Sequence, residues 1–433
     1  MTDSTPPFSW RSIILPAYLP TLLFSLGEGA IIPVIAVVAT DRGASLALAG
    51  LIAAMLMVGE LIGDLPAGWL VARIGERNAM IGAAMLAVVG VLIALAAPST
   101  LALGIGVFLL GLATAVFGLA RHAFLTSYVP EAVRARALST LAGVFRAGWA
   151  VGPFIAAALI ASTGSAEVVF WVLVASCFAV VVVLLLLPDP ERVFGAARRA
   201  RAASAGNDRT EGEIEADSAS HGVFRAIVTH RGVLARIGSG IGLLAAIRAS
   251  RTVILPLWAV SIGMPPETAA LVIGVSATID FALFYVSGHV MDRFGRLWSA
   301  IPGLVGLATG HLVLALTHDV PAADAWFTAV AVLFGVANGL SSGVILTLGA
   351  DLAPKANPAP FLGAFRTIGD AGQAAAPLIV AGVTSAISIM AASATMGVLG
   401  LVGAAVLWRY IPRYVPRQRR PPTTGIGEPA GND

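Results

Sequence analysis

The chain has 433 residues and a formal net charge of +3, yet only 12% of its residues are charged and 58% are hydrophobic, for a mean hydropathy of +0.88. Soluble domains carry about 25% charged residues, so this composition excludes an ordinary soluble enzyme or binding domain. A backbone in lipid must satisfy its own hydrogen bonds, which leaves helices or closed barrels, and long continuous apolar runs select helices.

The first apolar run, from about Ile13, is too long for the core of a cleavable leader and has no clear cleavage site, so it reads as a membrane span. Spans are predicted over 13–39, 46–71, 78–97, 101–127, 137–162 and 167–187. The sixth contains the uncharged run Val168–Leu187, and about 20 residues suffice to cross a bilayer as a helix. It also holds Cys177, the single cysteine, which excludes an intramolecular disulfide. Residues 189–230 are rich in Ala, Ser, Gly and both charges and cannot bury a core, so they read as a flexible cytoplasmic linker. Six more spans are predicted over 233–260, 268–291, 298–317, 325–351, 360–384 and 387–411, before a disordered tail at 413–433. The predicted fold is an all-α membrane protein of twelve transmembrane helices in two pseudo-symmetric six-helix bundles, 1–188 and 231–412. Basic residues set the orientation. Arg73, Arg77, Arg134, Arg136, Arg293, Arg296 and Lys355 fall on the side of the termini, whereas the opposite loops hold Arg42 and otherwise acids. Both termini are therefore expected in the cytoplasm, on a multi-pass protein of the cell membrane.

The two halves are related. Gly68 and Gly75 recur 220 residues later as Gly288 and Gly295, Glu60 as Asp280, and Arg146 as Arg366 within "GVFRAGWAVG" and "GAFRTIGDAG". The same offset carries Glu28 onto Arg248. A register held across several helices indicates two copies of one six-helix unit, the way many secondary transporters are built.

The charged turns "PAGWLVARIGER" and "VSGHVMDRFGR" follow the second and eighth spans. They resemble the helix 2–3 loop motif of the major facilitator superfamily, Gly-x-x-x-Asp-Arg-x-Gly-Arg-Arg/Lys. The second copy supplies Gly288, Asp292, Arg293, Gly295 and Arg296; the first supplies Gly68, Arg73, Gly75 and Arg77 but has Ala72 at the acid. The glycines allow a tight turn. The Asp can face the positive end of a helix from the other half and the Arg can pair with acids, which favours a closed cytoplasmic side. The alternative is that the arginines are topological anchors only. In the fifth span, Gly148, Gly152 and Pro153 are similar to the Gly-x-x-x-Gly-Pro signature of proton-coupled drug exporters. Such spacing permits close helix contact, and the proline permits a bend.

Ionisable groups inside spans are costly unless paired or facing water, so they are candidates for function. The resemblance implies that span 2 lies against span 11 and span 5 against span 8. Acids on spans 2 and 8 and arginines on 5 and 11 then point to two inter-half gating pairs, Glu60 or Asp64 with Arg366, and Arg146 with Asp280. Pairs within one half are the alternative. Arg248 and Arg251 share one face of span 7 and could hold a carboxylate or phosphate. Glu28 is read either as the partner of Arg248 or as the proton carrier, and Asp370 is a further proton site. Arg121 and His122 lie toward the cytoplasmic end of span 4 and can snorkel.

No Walker loop or Cys/His cluster is present in the sequence, so neither cofactor nor metal is expected, and the protein is read as no enzyme. The implied function is secondary active transport by alternating access. Proton-coupled export of small organic or drug-like molecules by an antiporter is the leading reading. The alternative is an uptake symporter for an organic anion or other small nutrient. The expected partners are a small-molecule substrate, protons and the lipid bilayer, with no nucleic acid and a monomeric state.

Overall fold

A computed structural model describes residues 14–96, 98–129, 131–186, 228–354 and 359–415. The predicted linker and tail lie almost wholly outside these residues, as does Lys355. The first half comprises α1 (Leu19–Asp41), α2 (Leu46–Ile74), α3 (Glu76–Ala96), α4 (Thr100–Tyr128), α5 (Glu131–Thr163) and α6 (Phe170–Leu186). The second comprises α7 (Ser239–Ser261), α8 (Pro266–Phe294), α9 (Leu297–Leu316), α10a (Ala323–Leu340), α10b (Val344–Leu352), α11 (Ala359–Ala386) and α12 (Ile389–Tyr414). Among the described residues, eleven segments are long and apolar enough to span a membrane, with α10a and α10b counted as one. The remaining crossing is α11, whose Arg366, Asp370 and Gln373 dilute its apolar character.

The 220-residue repeat reappears in the backbone. Leu19–Asp41 matches Ser239–Ser261, and Leu46–Ile74 matches Pro266–Phe294. Even the π-helical turns that lead into α1 and α7, Ile14–Tyr18 and Leu234–Gly238, keep that register. Positive φ recurs at Gly75 (82°) and Gly295 (92°), where each turn must reverse tightly before the next helix. A side chain there would be strained.

Helices pack mainly within each half, α1 against α5 and α6 and α2 against α4 in the first, α7 against α11 and α12 and α8 against α10a in the second. The halves meet where α2 touches α11, α5 touches α8 and α1 touches α7. Small residues allow this, because lipid offers no hydrophobic drive and association depends on close contact. At the α2–α4 crossing a Cβ on Gly111 would collide with the Leu56 carbonyl. Gly111→Val is therefore expected to cost about 1–3 kcal/mol, read as a lower melting midpoint of the solubilised protein. Gly82→Ala, with no neighbour within 4 Å of its Cβ position, should not lower that midpoint, since Ala is the better helix former.

The tenth span departs from the uninterrupted helix expected over 325–351. It breaks at Ser341–Gly343, where Gly343 adopts φ 81°. A Ser-Ser-Gly run is permissive of a break, and the freed carbonyls are claimed from neighbouring helices. Ser299 of α9 donates to the Leu340 carbonyl, and Ser287 of α8 donates to that of Ser342.

Candidate functional site

Glu28 lies in the middle of α1 and is fully buried. Gly27 and Gly29 flank it, letting α6 and α5 approach so closely that a Cβ on either glycine would press on the backbone at Leu173 or Trp149. The carboxylate is held from two sides. Thr114 Oγ1 of α4 donates to Oε1 and Trp149 Nε1 of α5 donates to Oε2, both at 2.9 Å. Among the described residues no cation forms an ion pair with it. Arg121 of α4 acts on Glu28 and Glu60 only through space, its guanidinium lying over the Phe145 ring at 4.7 Å.

The second half builds a network around one carboxylate. Arg251 of α7 pairs with Asp280 Oδ2 of α8 at 3.2 Å. Asn338 of α10a donates to the same oxygen at 2.8 Å and accepts from Arg248 Nε at 2.9 Å. Arg248 also reaches the Ser341 carbonyl at the helix break, at 3.4 Å. Arg146 enters from α5 of the other half, resting over the Phe284 ring at 4.3 Å and donating to Ser342 Oγ at 3.4 Å. The network thus holds three guanidiniums and one carboxylate.

Between these two clusters lies a small, partly open cavity. The first half lines it with Pro33, Trp149 and Pro153, and the second with Arg251, Thr252 and Pro256. The halves are tight on the side of the cavity away from the termini, where Gly50 of α2 faces Leu257 of α7 and Ala381 of α11, and Gly274 of α8 faces Phe154 of α5. Toward the termini, Gly288 has open surroundings and the Asp292 side chain is 84% exposed.

The pairing differs from the sequence expectation. Asp280 takes Arg251 of its own half, not Arg146, although α8 packs more extensively on α5 than on α7; Arg146 is held instead by an aromatic face and a hydroxyl. Arg366 pairs with Asp370 one turn along α11 at 3.4 Å. Glu60 reaches across the halves to Gln373 Nε2 at 3.5 Å, and Asp64 feels Arg366 only through space. Glu28 and Arg248, the proposed cross-axis partners, are satisfied separately by Trp149 with Thr114 and by Asn338.

At the motif turns, Arg77 caps the end of α6 through the Leu184 carbonyl at 2.8 Å, and Arg73 lies over Trp69. Arg293 lies over Phe294. Arg296 bonds Asp351 at the end of α10b at 2.8 Å, an interaction that holds its guanidinium in the charged form and raises its pKa. Among the described residues Asp292 pairs only with Arg296, at 3.8 Å, and its side chain is mostly exposed. Ala72 is exposed; Ala72→Asp is expected to change stability by less than about 0.5 kcal/mol while slowing opening toward the termini. Equal rates of opening for variant and parent would remove the idea of a missing lock.

Gly148 and Gly152 bring α5 onto α1, where a Cβ at either would strike Ser25 or the backbone at Ala30. Pro153 borders the cavity.

The sequence profile of the Major Facilitator Superfamily matches residues 18–377, with a second match over 237–428. The chain belongs to the major facilitator superfamily. It is thus a multi-pass secondary transporter and not an enzyme. As a member of the superfamily it is 27% identical over 183 residues to the galactose-proton symporter of Escherichia coli (strain K12), covering 42% of this chain and 39% of that one. The match thus spans about two fifths of that relative's length. A POT family transporter in complex with 5-aminolevulinic acid superposes with a TM-score of 0.72 at 12% identity, over 93% of this chain and 96% of that one. A D-xylose-proton symporter superposes with 0.71 at 17% identity, over 94% and 98%. These likenesses establish the superfamily's twelve-helix fold.

Sequence reasoning missed Asn338, Trp149 and the helix break. A single amide within an apolar span was the available signal for Asn338, since such a group needs partners in lipid.

Proposed function

We propose that the chain is a proton-coupled symporter that imports a small organic nutrient, working as a monomer in the cell membrane with both termini in the cytoplasm. The observation that carries this reading is Glu28. It is a fully buried acid with two neutral donors and, among the described residues, no ion-pair partner. An uncompensated charge there is costly, so a proton bound at Glu28 lowers the energy of the closed state. Glu28 and the cavity share Trp149, so proton and solute meet at one side chain. Glu60 and Asp64 of α2 and Asp370 of α11 interact through space across the bundle interface and provide the route by which the proton leaves toward the cytoplasm. The proton-symporting relatives support import over export.

The exporter-like signature does not weigh against this. Gly148 and Gly152 serve the contact between α5 and α1, which an importer needs as much as an exporter. Deleting the gene decides direction. Import predicts loss of growth on one nutrient and loss of protonophore-sensitive accumulation of it. Broad sensitisation to toxic compounds with normal nutrient uptake would establish export instead.

A further inference from the structure

Arg251 and Asp280 are 9% and 8% exposed, yet each keeps one polar atom without a hydrogen bond among the described residues. These are Arg251 Nε, a donor, and Asp280 Oδ1, an acceptor. The two side chains already meet through Nη2 and Oδ2, so the second strand of a bidentate pair is the one left unmade. A buried donor and acceptor left open beside each other lose their full hydration without compensation. One hydroxyl satisfies both, accepting from Nε–H and donating to Oδ1. Arg251 borders the cavity, and Asp280 lies one turn along α8 from Ser276, which borders it too; the two open atoms are themselves enclosed, so a ligand reaches them as the pair parts.

The same network has a charge excess. Arg146 and Arg248 contact Ser342, Asn338 and the Ser341 carbonyl, all neutral acceptors. Asp280, the sole carboxylate among these groups, is bonded to Arg251 and Asn338. Two guanidiniums are therefore held at the interface of the bundles without an acid of their own, and both are only partly buried. In a low-dielectric setting an anion is the ligand that compensates them.

We propose that this site takes a hydroxycarboxylate, its carboxylate on Arg146 and Arg248 and its hydroxyl between Arg251 Nε and Asp280 Oδ1. A zwitterion fits worse, because an ammonium on Asp280 restores the positive excess that the carboxylate removes. A neutral polyol fills the hydroxyl gap and leaves both free guanidiniums uncompensated. Trp149, on the opposite wall, offers an aromatic face to the C–H groups of the ligand's chain. The proposal rests on the import reading above and adds the chemical class of the solute. Arg146 comes from one half and the other three residues from the other, so a bound hydroxycarboxylate ties the halves together.

The test is equilibrium binding to the full-length chain in lipid nanodiscs, with D-gluconate, D-glucose, hexanoate and L-alanine as probes. Gluconate is expected to bind at least about tenfold tighter than each of the others, since a site built around a hydroxyl rejects analogues lacking it. Arg146→Gln should bring the gluconate-to-glucose ratio toward one, and Arg251→Lys should do the same for gluconate over hexanoate. Glucose binding as tightly as gluconate would overturn the carboxylate contact. Hexanoate binding as tightly would leave water alone in the gap and overturn the hydroxyl contact. Alanine preference, or no binding by any probe, would also overturn the proposal. The panel on the parent chain decides even where a variant fails to fold. Glucose-driven proton uptake without gluconate binding would remove this proposal and keep the symport. Gluconate binding without proton movement would do the reverse.

Discussion

Asp280→Ala is expected to lose both transport and about 3–5 kcal/mol of folded stability, the cost of leaving a buried cation without its partner. The loss should be large because two guanidiniums depend on this carboxylate, directly for Arg251 and through Asn338 for Arg248. Asn338 would lose its acceptor at the same time, loosening its hold on Arg248, which reaches the Ser341 carbonyl at the break. The melting midpoint of the solubilised protein and the yield of monodisperse material measure the effect. Replacing the pair together, Arg251→Met with Asp280→Leu, should recover much of the stability, because a packed apolar pair can match a buried ion pair. It should not recover transport. A double variant that transports normally would show that the pair is scaffolding and that solute is bound elsewhere.

Glu28→Gln is expected to separate solute movement from proton movement. The amide has nearly the carboxylate's shape, can accept from Trp149 through its oxygen and can donate to Thr114, whose hydroxyl accepts as well as donates. The fold should therefore persist, with a melting midpoint close to the parent's. What the amide cannot do is release a proton. Accumulation of solute driven by a pH gradient should fall by at least about tenfold, the scale of one lost proton-transfer group. Exchange of labelled for unlabelled solute across the membrane needs no net proton movement, so it should continue. Gradient-driven accumulation that survives in Glu28→Gln would move the proton site to Glu60, Asp64 or Asp370.

The twelve-helix arrangement was legible because lipid permits so few alternatives. Long apolar runs, basic residues on one side and a register of 220 residues were enough, and the register proved close enough to place even matching π-turns ahead of α1 and α7. The identity of the site residues was also visible, since Glu28, Arg146, Arg248, Arg251 and Asp280 announce themselves as charges in apolar surroundings. Their partners were not. Repeat symmetry and the family arrangement pointed Asp280 at Arg146, but helix neighbours alone do not set side-chain partners: Arg146 lies on Phe284 and Ser342, and Arg251 reaches Asp280. Arg366 likewise found Asp370 a turn away. The helix break at Ser341–Gly343 was hidden for a related reason. Hydropathy reads straight through it, whereas the hydroxyls that stabilise it come from Ser287 and Ser299, which lie more than forty residues earlier on other helices.

The central claim, that solute and proton move together through Glu28, is tested most directly by solute-induced proton flux. The full-length chain is reconstituted into liposomes containing a pH-sensitive dye, with no pH gradient imposed, and solute is added outside. The account predicts acidification of the lumen that begins with solute entry, requires the solute, and disappears in Glu28→Gln. Solute entry that leaves the internal pH unchanged in the parent protein would contradict it.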